Sequence, residues 1–257
     1  MAIQTAERSS HLDPSENVIF QRHMVAYNQA AKLIHGTVLE IGCGEGYGIK
    51  ELAKHSEKYI GVDKFETNIS DEIKKNNNII FHKMEIPPLE NIEANSIDFV
   101  VTFQVIEHIQ DDHYFLEEIY RVLRPGGKLL LTTPNKLMSL SRNPWHIREY
   151  TPIEMKNILR KYFYTFKVKG VFGNELVMDY YNKNRESIYK ITRFDIFNLQ
   201  HIMPRWFLKI PYDILNRFNR NRLKSNNEKM VDSVKVSDYS IEDSTDNCLD
   251  YFCITTK

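Results

Sequence analysis

The segment VLEIGCGEGYG, residues 38–48, decides the fold that we expect for this chain. Four of the ten glycines of the protein, Gly42, Gly44, Gly46 and Gly48, alternate within it directly after a short apolar run. Glycine has no Cβ atom, so it tolerates a positive φ and lets a ligand touch the backbone. A strand, a glycine-rich turn and a helix in this order form a nucleotide site at the carboxyl end of a parallel sheet. The segment therefore predicts a strand that ends in a ligand-binding turn.

Strand-like and helix-like segments alternate through the first half of the chain. Apolar runs of strand length cover 37–41, 58–62, 78–82, 96–103 and 127–133. Segments with helical spacing cover 18–35, 46–55, about 66–75 and 111–123. Alternating strands and helices with continuous apolar strands predict a parallel sheet that is covered on both faces.

Three further elements are predicted in the second half. Residues 151–163 have the features of a capped helix, because Thr151 and Glu154 form a capping box and Pro152 occupies the first helical position. The segments 166–173 and 249–257 alternate like strands, and we expect them to pair and close the sheet.

An insertion of about 175–246 separates those two strands. Its first part, 183–224, is rich in aromatic residues and holds ten Lys and Arg against three Asp and Glu, which indicates basic helices. Its second part, 228–250, holds seven acids against two Lys and predicts an exposed loop. The insertion has three functional interpretations: a lid that selects the acceptor, a surface for an anionic membrane, or a nucleic-acid surface. A dimer surface or solvated helices are the alternative. We favour the lid, with weak membrane contact as a second role and no nucleic acid.

Composition narrows the class of protein. The 257 residues have no net formal charge, so no general attraction to nucleic acid or anionic lipid is expected. Three cysteines without a CxxC pair favour free thiols in a reducing compartment. The N-terminal residues lack the apolar core of a signal peptide, and no apolar run reaches the roughly 18 residues of a membrane span. A cytoplasmic protein is the expectation.

The residues around the glycine-rich turn discriminate between ligand classes. The dinucleotide fingerprint GxGxxG fails because Tyr47 stands at its third glycine, and no GxxxxGK[ST] phosphate loop is present. Glu40 would repel a pyrophosphate over this turn and suits a cationic ligand instead. Asp63, 21 residues beyond Gly42 at the end of the second strand, is placed to accept hydrogen bonds from ribose hydroxyls.

Four motifs in order carry a family resemblance: VLEIGCGEGYG, GVD at 61–63, IDFVVTFQVIEH at 97–108 and LRPGGKLLLTTPN at 123–135. The chain resembles the class I S-adenosylmethionine-dependent methyltransferases of the type 11 kind, which act on glycans and small molecules, over about 18–174 and the final strand. The resemblance implies a Rossmann-like α/β fold with a seven-stranded, mostly parallel sheet, an antiparallel last strand and helices on both faces. It implies a cofactor-binding domain of 36–174 with 247–257, an N-terminal segment 1–35 that closes over the cofactor, and a helical insertion 175–246.

The resemblance also implies which residues meet the cofactor, S-adenosyl-L-methionine, and its product S-adenosyl-L-homocysteine. Residues of the glycine-rich turn line the methionine and adenosine portions, Asp63 holds the ribose, and Gln104 lies at the methionine end. Met84 stands where many members have an adenine-binding Asp, so Met84 is expected to pack on the adenine and Glu85 or a backbone amide to bind its edge. The expected cofactor residues are Arg22, Tyr27, Glu40, Gly42, Cys43, Gly44, Gly46, Asp63, Lys64, Met84, Glu85 and Gln104. For Arg22 and Tyr27 the alternative is a surface arginine and a core tyrosine.

Candidate catalytic residues follow the fourth and fifth strands. In NPWHIREYT, 143–151, His146 is a candidate base because its unperturbed pKa lies near neutrality, and the alternative is an ordinary packed loop. His108 lies in EHIQDDH, 107–113, where a metal site competes with a helix start; we favour the helix start and expect no metal.

The expected function is methyl transfer to an oxygen or nitrogen of a small-molecule acceptor, with a sugar or glycan among the candidates. A regulatory or scaffold protein that binds the cofactor without transferring its methyl group is the alternative outside enzymology. A nicotinamide-dependent oxidoreductase is the alternative enzyme, against which Tyr47 and Glu40 argue.

Overall fold

One eight-stranded sheet organises the part of the chain that the computed structural model describes, residues 13–65, 76–193, 195 and 199–257. The strands are β1 Thr37–Ile41, β2 Lys58–Asp63, β3 Ile79–Lys83, β4 Ile97–Phe103, β5 Leu123–Pro134, β6 Thr165–Gly173, β7 Tyr239–Asp243 and β8 Asp250–Thr256. Their order in the sheet is β3-β2-β1-β4-β5-β8-β6-β7.

The directions of the strands confirm the predicted sheet. Strands β1 to β5 pair in parallel, and β8 runs antiparallel to both β5 and β6. Strand β1 pairs with β2 on one side and with β4 on the other. The strand order therefore reverses at β1: β2 and β3 follow on one side, and β4 and β5 on the other. In open α/β sheets such a switch point opens a crevice at the carboxyl ends of the strands.

The acidic segment 228–250 is not the exposed loop that its composition predicts. It contains the helix Glu228–Ser233 and the edge strand β7, which pairs antiparallel with β6 and adds an eighth strand to the expected seven. Tyr239 is buried and donates its hydroxyl to the carbonyl oxygen of Val18 at 2.6 Å, whereas Ser240 and Glu242 are exposed. Glu242 and Asp243 of β7 are exposed although Tyr239 is buried, and overall charge cannot distinguish such a half-buried strand from a loop.

The helices flank the sheet at the predicted places. They are α1 Asn17–Ala31, α2 Ile49–Ala53, α3 Asp112–Val122, α4 Pro152–Tyr162, α5 Glu175–Thr192, α6 Leu199–Ile202, α7 Arg205–Asn226 and α8 Glu228–Ser233. Thr151 and Glu154 form the expected capping box of α4. The helix expected at about 66–75 lies outside the described residues.

Each face of the sheet carries its own apolar core. Successive residues of a strand point to opposite faces. Leu39 therefore packs in one cluster with Leu116 of α3, and Val38 packs in the other with Ala30 of α1 and Leu52 of α2. The sheet is covered on both faces, as its continuous apolar strands predict.

One contact of α7 joins the two long helices of the insertion, and another fastens the insertion to the N-terminal segment. Its Asn219 donates to Asn184 of α5 at 2.8 Å, and its Arg220 lies 2.6 Å from the Glu16 carboxylate just before α1. Among the described residues, no helix has the length and apolar character required to cross a membrane.

Candidate active site

A cavity of about 590 Å³ opens at the carboxyl ends of the parallel strands. The turn after β1 and the end of β2 form one end of it, and the segments after β4 and β5 form the other. Helix α1 and the insertion helices α5 and α7 complete its wall. The cavity thus lies at the topological switch point, and the insertion contributes directly to it.

The glycine-rich turn presents bare backbone to this cavity. Gly42 and Gly44 have φ values of 78° and 55° and line it. A Cβ on Gly44 would approach no heavy atom more closely than 4.0 Å, whereas one on Gly42 would lie 2.3 Å from Val105 Cγ2. A Cβ on Gly48 would lie 2.0 Å from the Tyr27 ring, so that glycine makes room for a core side chain. The alternating glycines therefore serve two purposes, backbone access and packing.

Asp63 is held beside the turn by two backbone amides. The amide of Gly44 donates to Oδ2 at 2.8 Å, and the amide of Phe65 donates to Oδ1 at 2.9 Å. The two bonds hold both oxygens of the carboxylate and so orient the group. Asp63 lines the cavity beside the glycine-rich turn.

Glu40 lies beneath the turn and is not part of the cavity wall. It is buried, and its two oxygens accept hydrogen bonds from the hydroxyls of Tyr27, at 2.6 Å, and Tyr59. Burial raises the pKa of Glu40 to about 7, although both hydroxyl bonds act in the opposite direction. Tyr27 likewise faces Glu40 in the core and has T-shaped contacts with Tyr47 and Phe103.

The cavity brings together most of the residues that the sequence nominates. Its wall includes Arg22, Gly42, Gly44, Asp63, Lys64, Glu85, Gln104, His108 and His146. The remaining nominated residues, Tyr27, Glu40, Cys43, Gly46 and Met84, are not part of the wall. Cys43 is buried, and Met84 packs against the core.

Arg22 reaches the cavity but is already paired. Its Nε lies 3.0 Å from Oδ2 of Asp250, a buried carboxylate at the start of β8. Burial raises the pKa of Asp250, and the charge of Arg22 acts against that shift. A ligand carboxylate at Arg22 would therefore share the guanidinium with Asp250.

Gln104 occupies a strained turn directly after β4. Its φ is 57°, a region that costs a residue with a side chain of the order of 1 kcal/mol. Its amide donates to the Thr132 carbonyl oxygen at 2.9 Å, and its Nε2 donates to Thr132 Oγ1 at 3.2 Å. These bonds to β5 hold the turn against the cavity, where such strain is typical of a binding site.

Two histidines and a glutamate form the opposite end of the cavity. Glu107, His108 and His146 each place one oxygen or nitrogen donor atom within 4.8 Å of those of the other two. The imidazoles of His108 and His146 are in T-shaped contact, with ring centroids 4.9 Å apart. Nδ1 of His146 lies 2.6 Å from Oε1 of Glu149, and Nδ1 of His108 lies 3.0 Å from the Trp145 carbonyl oxygen.

Glu107 is a buried carboxylate that the sequence analysis did not nominate. Oε2 accepts from the Thr133 hydroxyl at 3.0 Å, whereas Oε1 has no hydrogen-bond partner among the described residues. Burial raises the pKa of Glu107 to about 7. The position of Glu107 and His108 shortly after β4 is the sequence feature that could have identified Glu107. Only the fold brings His146 close to these two residues.

The other residues of the two catalytic segments have structural partners. Asp111 caps α3 by accepting from the Tyr114 amide, which confirms the expected helix start. Asp112 accepts from Arg148 and from the buried Tyr150, both at 2.7 Å. Of the segment 143–151, Asn143, His146 and Glu149 line the cavity, whereas Trp145, Arg148 and Tyr150 do not.

The insertion supplies a wall that sequence reasoning did not identify residue by residue. Tyrosine and asparagine side chains dominate this part of the wall: Tyr180, Tyr181, Asn184, Tyr212 and Asn216. Aromatic faces and amides at helical spacing are equally typical of a packed helix pair. Only the tertiary structure shows that they face a cavity.

Comparisons with known proteins agree with this geometry. Residues 39–131 match the family model of a methyltransferase domain. A protein of Mycolicibacterium smegmatis named "Probable S-adenosylmethionine-dependent methyltransferase" is 38% identical over 161 residues, which are 60% of this chain and 62% of that protein. A similarly named protein of Mycobacterium tuberculosis is 37% identical over 60% of this chain and 58% of its own length. The chain thus spans about 60% of the length of these curated relatives.

Solved structures with low sequence identity share the fold. The YcgJ protein of Bacillus subtilis superposes with a TM-score of 0.52 at 17% identity, over 91% of this chain and 98% of that protein. An S-adenosylmethionine-dependent methyltransferase of Thermotoga maritima superposes with a TM-score of 0.53 at 18% identity, over 93% and 91% of the two chains.

Proposed function

We propose that this chain is a class I S-adenosylmethionine-dependent methyltransferase that transfers the cofactor's methyl group to an oxygen or nitrogen of a small acceptor. The observation that carries the proposal is one continuous cavity. It joins the Gly44–Asp63 corner, which suits a nucleoside, to the corner formed by His108 and His146. The cofactor is S-adenosylmethionine, as the names of the curated relatives state for those proteins.

The reaction is an in-line displacement at the methyl carbon. The acceptor atom attacks that carbon, the carbon–sulfur bond breaks, and sulfur leaves with the electron pair as neutral S-adenosylhomocysteine. The leaving group needs no acid, so alignment of the reactants is the main requirement, worth about 7–11 kcal/mol in the best intramolecular cases. A hydroxyl acceptor must also lose its proton, and His146 is the candidate base.

The contact between His146 and Glu149 suits that role. A carboxylate at Nδ1 places the proton on that nitrogen and leaves the lone pair of a neutral imidazole on Nε2. Because His146 lines the cavity, the base would lie in the acceptor compartment.

The wall at the acceptor end supports a polyhydroxylated acceptor such as a sugar or glycan. Tyr180, Tyr181 and Tyr212 provide aromatic surface and hydroxyls, and Asn184 and Asn216 provide both donors and acceptors. Such a lining can pair the hydroxyls of a sugar while it packs against the apolar face of the ring.

The test combines binding with turnover. In calorimetry, S-adenosylmethionine and S-adenosylhomocysteine should bind one to one, and NAD should not bind. Transfer of a labelled methyl group to a panel of sugars, glycolipids, phenols and amines should then identify the acceptor. Cofactor binding without transfer to any acceptor would favour a regulatory protein, and tight NAD binding would overturn the proposal.

A further inference from the structure

We propose that Glu107, His108 and His146 bind a divalent transition-metal ion, such as Zn²⁺ or Mn²⁺, at the acceptor end of the cavity. All three residues line the cavity, and their donor atoms lie within 4.8 Å of one another. The role of the ion rests on the proposed function, because the ion would contact the acceptor. The existence of the metal site does not rest on it.

In both imidazoles Nδ1 lies at a carbonyl or carboxylate oxygen, a contact that is typical of metal-bound histidines. The Trp145 carbonyl can only accept, so Nδ1 of His108 carries the proton and the lone pair lies on Nε2. The Glu149 carboxylate at 2.6 Å favours the same tautomer for His146. A metal-bound histidine almost always donates its other nitrogen to a carbonyl or carboxylate, which fixes the ring and strengthens the ligand.

The glutamate supplies the second, independent observation. Glu107 is 1% exposed, and its Oε1 is buried without a hydrogen-bond partner among the described residues. A buried polar atom without a partner is costly. A cation between Glu107 and the two imidazoles would satisfy that oxygen.

The backbone fixes the two ligand segments to each other. The carbonyl oxygen of Glu107 accepts from the amides of Ile147, at 2.6 Å, and Arg148, at 3.2 Å. His146 therefore cannot leave Glu107 and His108 without breaking these bonds. Ligands held on two mutually bonded segments form a site that is largely built before the ion arrives.

The donor set selects the class of metal. Two imidazole nitrogens and one carboxylate occur in catalytic zinc sites, which keep a further position open for water or substrate. Mg²⁺ prefers oxygen ligands, so it is the weaker candidate. Tetrahedral zinc bonds of about 2.0–2.2 Å place donor atoms about 3.4 Å apart, so these atoms, now within 4.8 Å of one another, would approach by up to about 1.4 Å.

A metal there would change the role of His146. An acceptor hydroxyl at the open position would have a lowered pKa and release its proton to water, and its oxygen would then attack the methyl carbon. In this form the imidazoles of His108 and His146 are ligands and no base is required. Both roles predict loss of activity in His146→Ala, so the metal itself has to be measured.

The experiment is metal binding to the full chain after treatment with a chelator. Calorimetry with ZnCl₂ and MnCl₂, checked by elemental analysis after gel filtration, should give one ion per chain. Glu107→Gln and His146→Ala should each weaken binding at least tenfold. His113→Ala is the matched control, because His113 contacts Tyr162 and lies outside the cavity wall; binding should be unchanged in it.

The outcomes separate this proposal from the proposed function. No saturable binding, or equal binding by the wild type and Glu107→Gln, overturns the metal site, and S-adenosylmethionine affinity in the same samples then decides the function independently. If the wild type binds one metal ion per chain and Glu107→Gln abolishes this binding, the metal site is supported even where no acceptor is methylated. Unchanged S-adenosylmethionine affinity in Glu107→Gln shows that the variant is folded.

We also infer, from a different feature, that the outer face of α7 docks on an anionic membrane surface. Trp206, Ile210, Ile214 and Phe218 follow each other at four-residue spacing on that face and are exposed by 72%, 72%, 64% and 62%. Tyr212 and Asn216, on the opposite face, line the cavity. An exposed apolar stripe of this size needs a partner, since soluble surfaces rarely leave such patches uncovered.

The charges on α7 identify an anionic bilayer as that partner. The helix holds six Lys and Arg and a single acid, Asp213. Arg220, Arg205 and Lys209 are directed to Glu16, Ile147 and Trp145. Arg217 and Arg222 are exposed. Apolar side chains on one face with basic residues beside them are the pattern of helices that lie in the membrane interface. A membrane at this face would bring a lipid-linked acceptor next to the cavity wall.

Vesicle sedimentation tests this surface. The chain should bind vesicles of phosphatidylcholine with 30% phosphatidylglycerol at low salt, and several-fold less at 0.5 M NaCl. Each basic residue near an anionic surface contributes about 1 kcal/mol of attraction, and salt screens that attraction. The double variant Ile210→Ser/Phe218→Ser should lose this binding. Ile153→Ser, at a site on α4 that is 71% exposed, should keep it. Absence of binding at low salt, or a stable dimer that buries α7, overturns the inference.

Discussion

At the scale of single residues, two acids near the glycine-rich turn have opposite surroundings. Asp63 lines the cavity and is oriented by the amides of Gly44 and Phe65. Glu40, only two residues before Gly42, is enclosed by two tyrosine hydroxyls. Proximity in sequence to the glycine-rich turn therefore did not decide which carboxylate lines the cavity.

Asp63→Ala should weaken S-adenosylmethionine binding by about one to two powers of ten, because hydrogen bonds to a charged group contribute about 1.5–3 kcal/mol. Calorimetry measures the change. Asp243→Ala, on the exposed edge strand β7, serves as the control and should bind normally. Wild-type affinity in Asp63→Ala would exclude a ribose contact.

Glu40 makes stability depend on pH. Its pKa is about 7 in the folded state and near 4.5 in the unfolded chain, so between these values the folded state binds more protons. The free energy of unfolding therefore falls as pH rises through this window, by about 1.4 kcal/mol per unit and about 3 kcal/mol in all.

Glu40→Gln should remove this contribution. The free energy of unfolding of Glu40→Gln, relative to that of the wild type, should increase from pH 4.5 to 7. Urea denaturation at several pH values measures this difference. A difference between the two proteins that stays constant with pH would show that Glu40 titrates normally.

His146→Ala should reduce the methyl transfer rate by about 10²–10⁴-fold, the range for loss of a general base, and leave S-adenosylmethionine affinity unchanged. Glu149→Gln should have a smaller effect in the same direction, because it disturbs only the orientation of the imidazole. Single-turnover kinetics with the identified acceptor measures both. Full turnover in His146→Ala would remove His146 from the mechanism.

At the scale of elements, the insertion combines two different faces in one helix. Tyr212 and Asn216 of α7 face the cavity, whereas Ile210 and Ile214 face solvent. The basic composition of this segment is the same for a lid, a membrane surface or a nucleic-acid surface. The separation of the two faces favours a lid with an outer docking surface.

Asn216→Ala should raise the KM for the acceptor about tenfold and leave S-adenosylmethionine affinity intact, since a neutral hydrogen bond contributes about 0.5–1.5 kcal/mol. Steady-state kinetics with varied acceptor measures this. Asn221→Ala on the same helix, outside the cavity wall, provides the control. Equal KM values for the three proteins would show that α7 does not contact the acceptor.

At the scale of the whole molecule, residues far apart in sequence meet around one cavity. Glu16 and Arg220 are paired at 2.6 Å and join the segment before α1 to the insertion. The side chain of Asn135, in the TPN motif, donates to the carbonyl oxygen of Cys248 at 2.8 Å and so ties β5 to the segment before β8. Both ends of the described chain therefore contribute to the stability of the site.

Arg220→Ala should lower the free energy of unfolding by about 2 kcal/mol. This is less than the 3–5 kcal/mol for a fully buried pair, because Arg220 is 19% exposed beside the cavity. Thermal and urea denaturation measure the loss. The double variant with Glu16→Gln should recover part of it, because no unpaired charge then remains; an unchanged stability in the single variant would show that the pair contributes nothing.

The sequence by itself determined the sheet, because continuous apolar strands such as 96–103 and the glycines at 42 and 44 allow few other solutions. It also predicted that Asp63 and His146 lie near the site, and both line the cavity, because segments that follow the carboxyl ends of parallel strands meet at one edge of the sheet. It missed β7 at Tyr239–Asp243, because an edge strand with one solvated face has the composition of a loop. Only the tertiary structure decided that Glu40 and Tyr27 pair in the core and that Glu107 meets His146. Those contacts depend on distances between segments that no local pattern encodes.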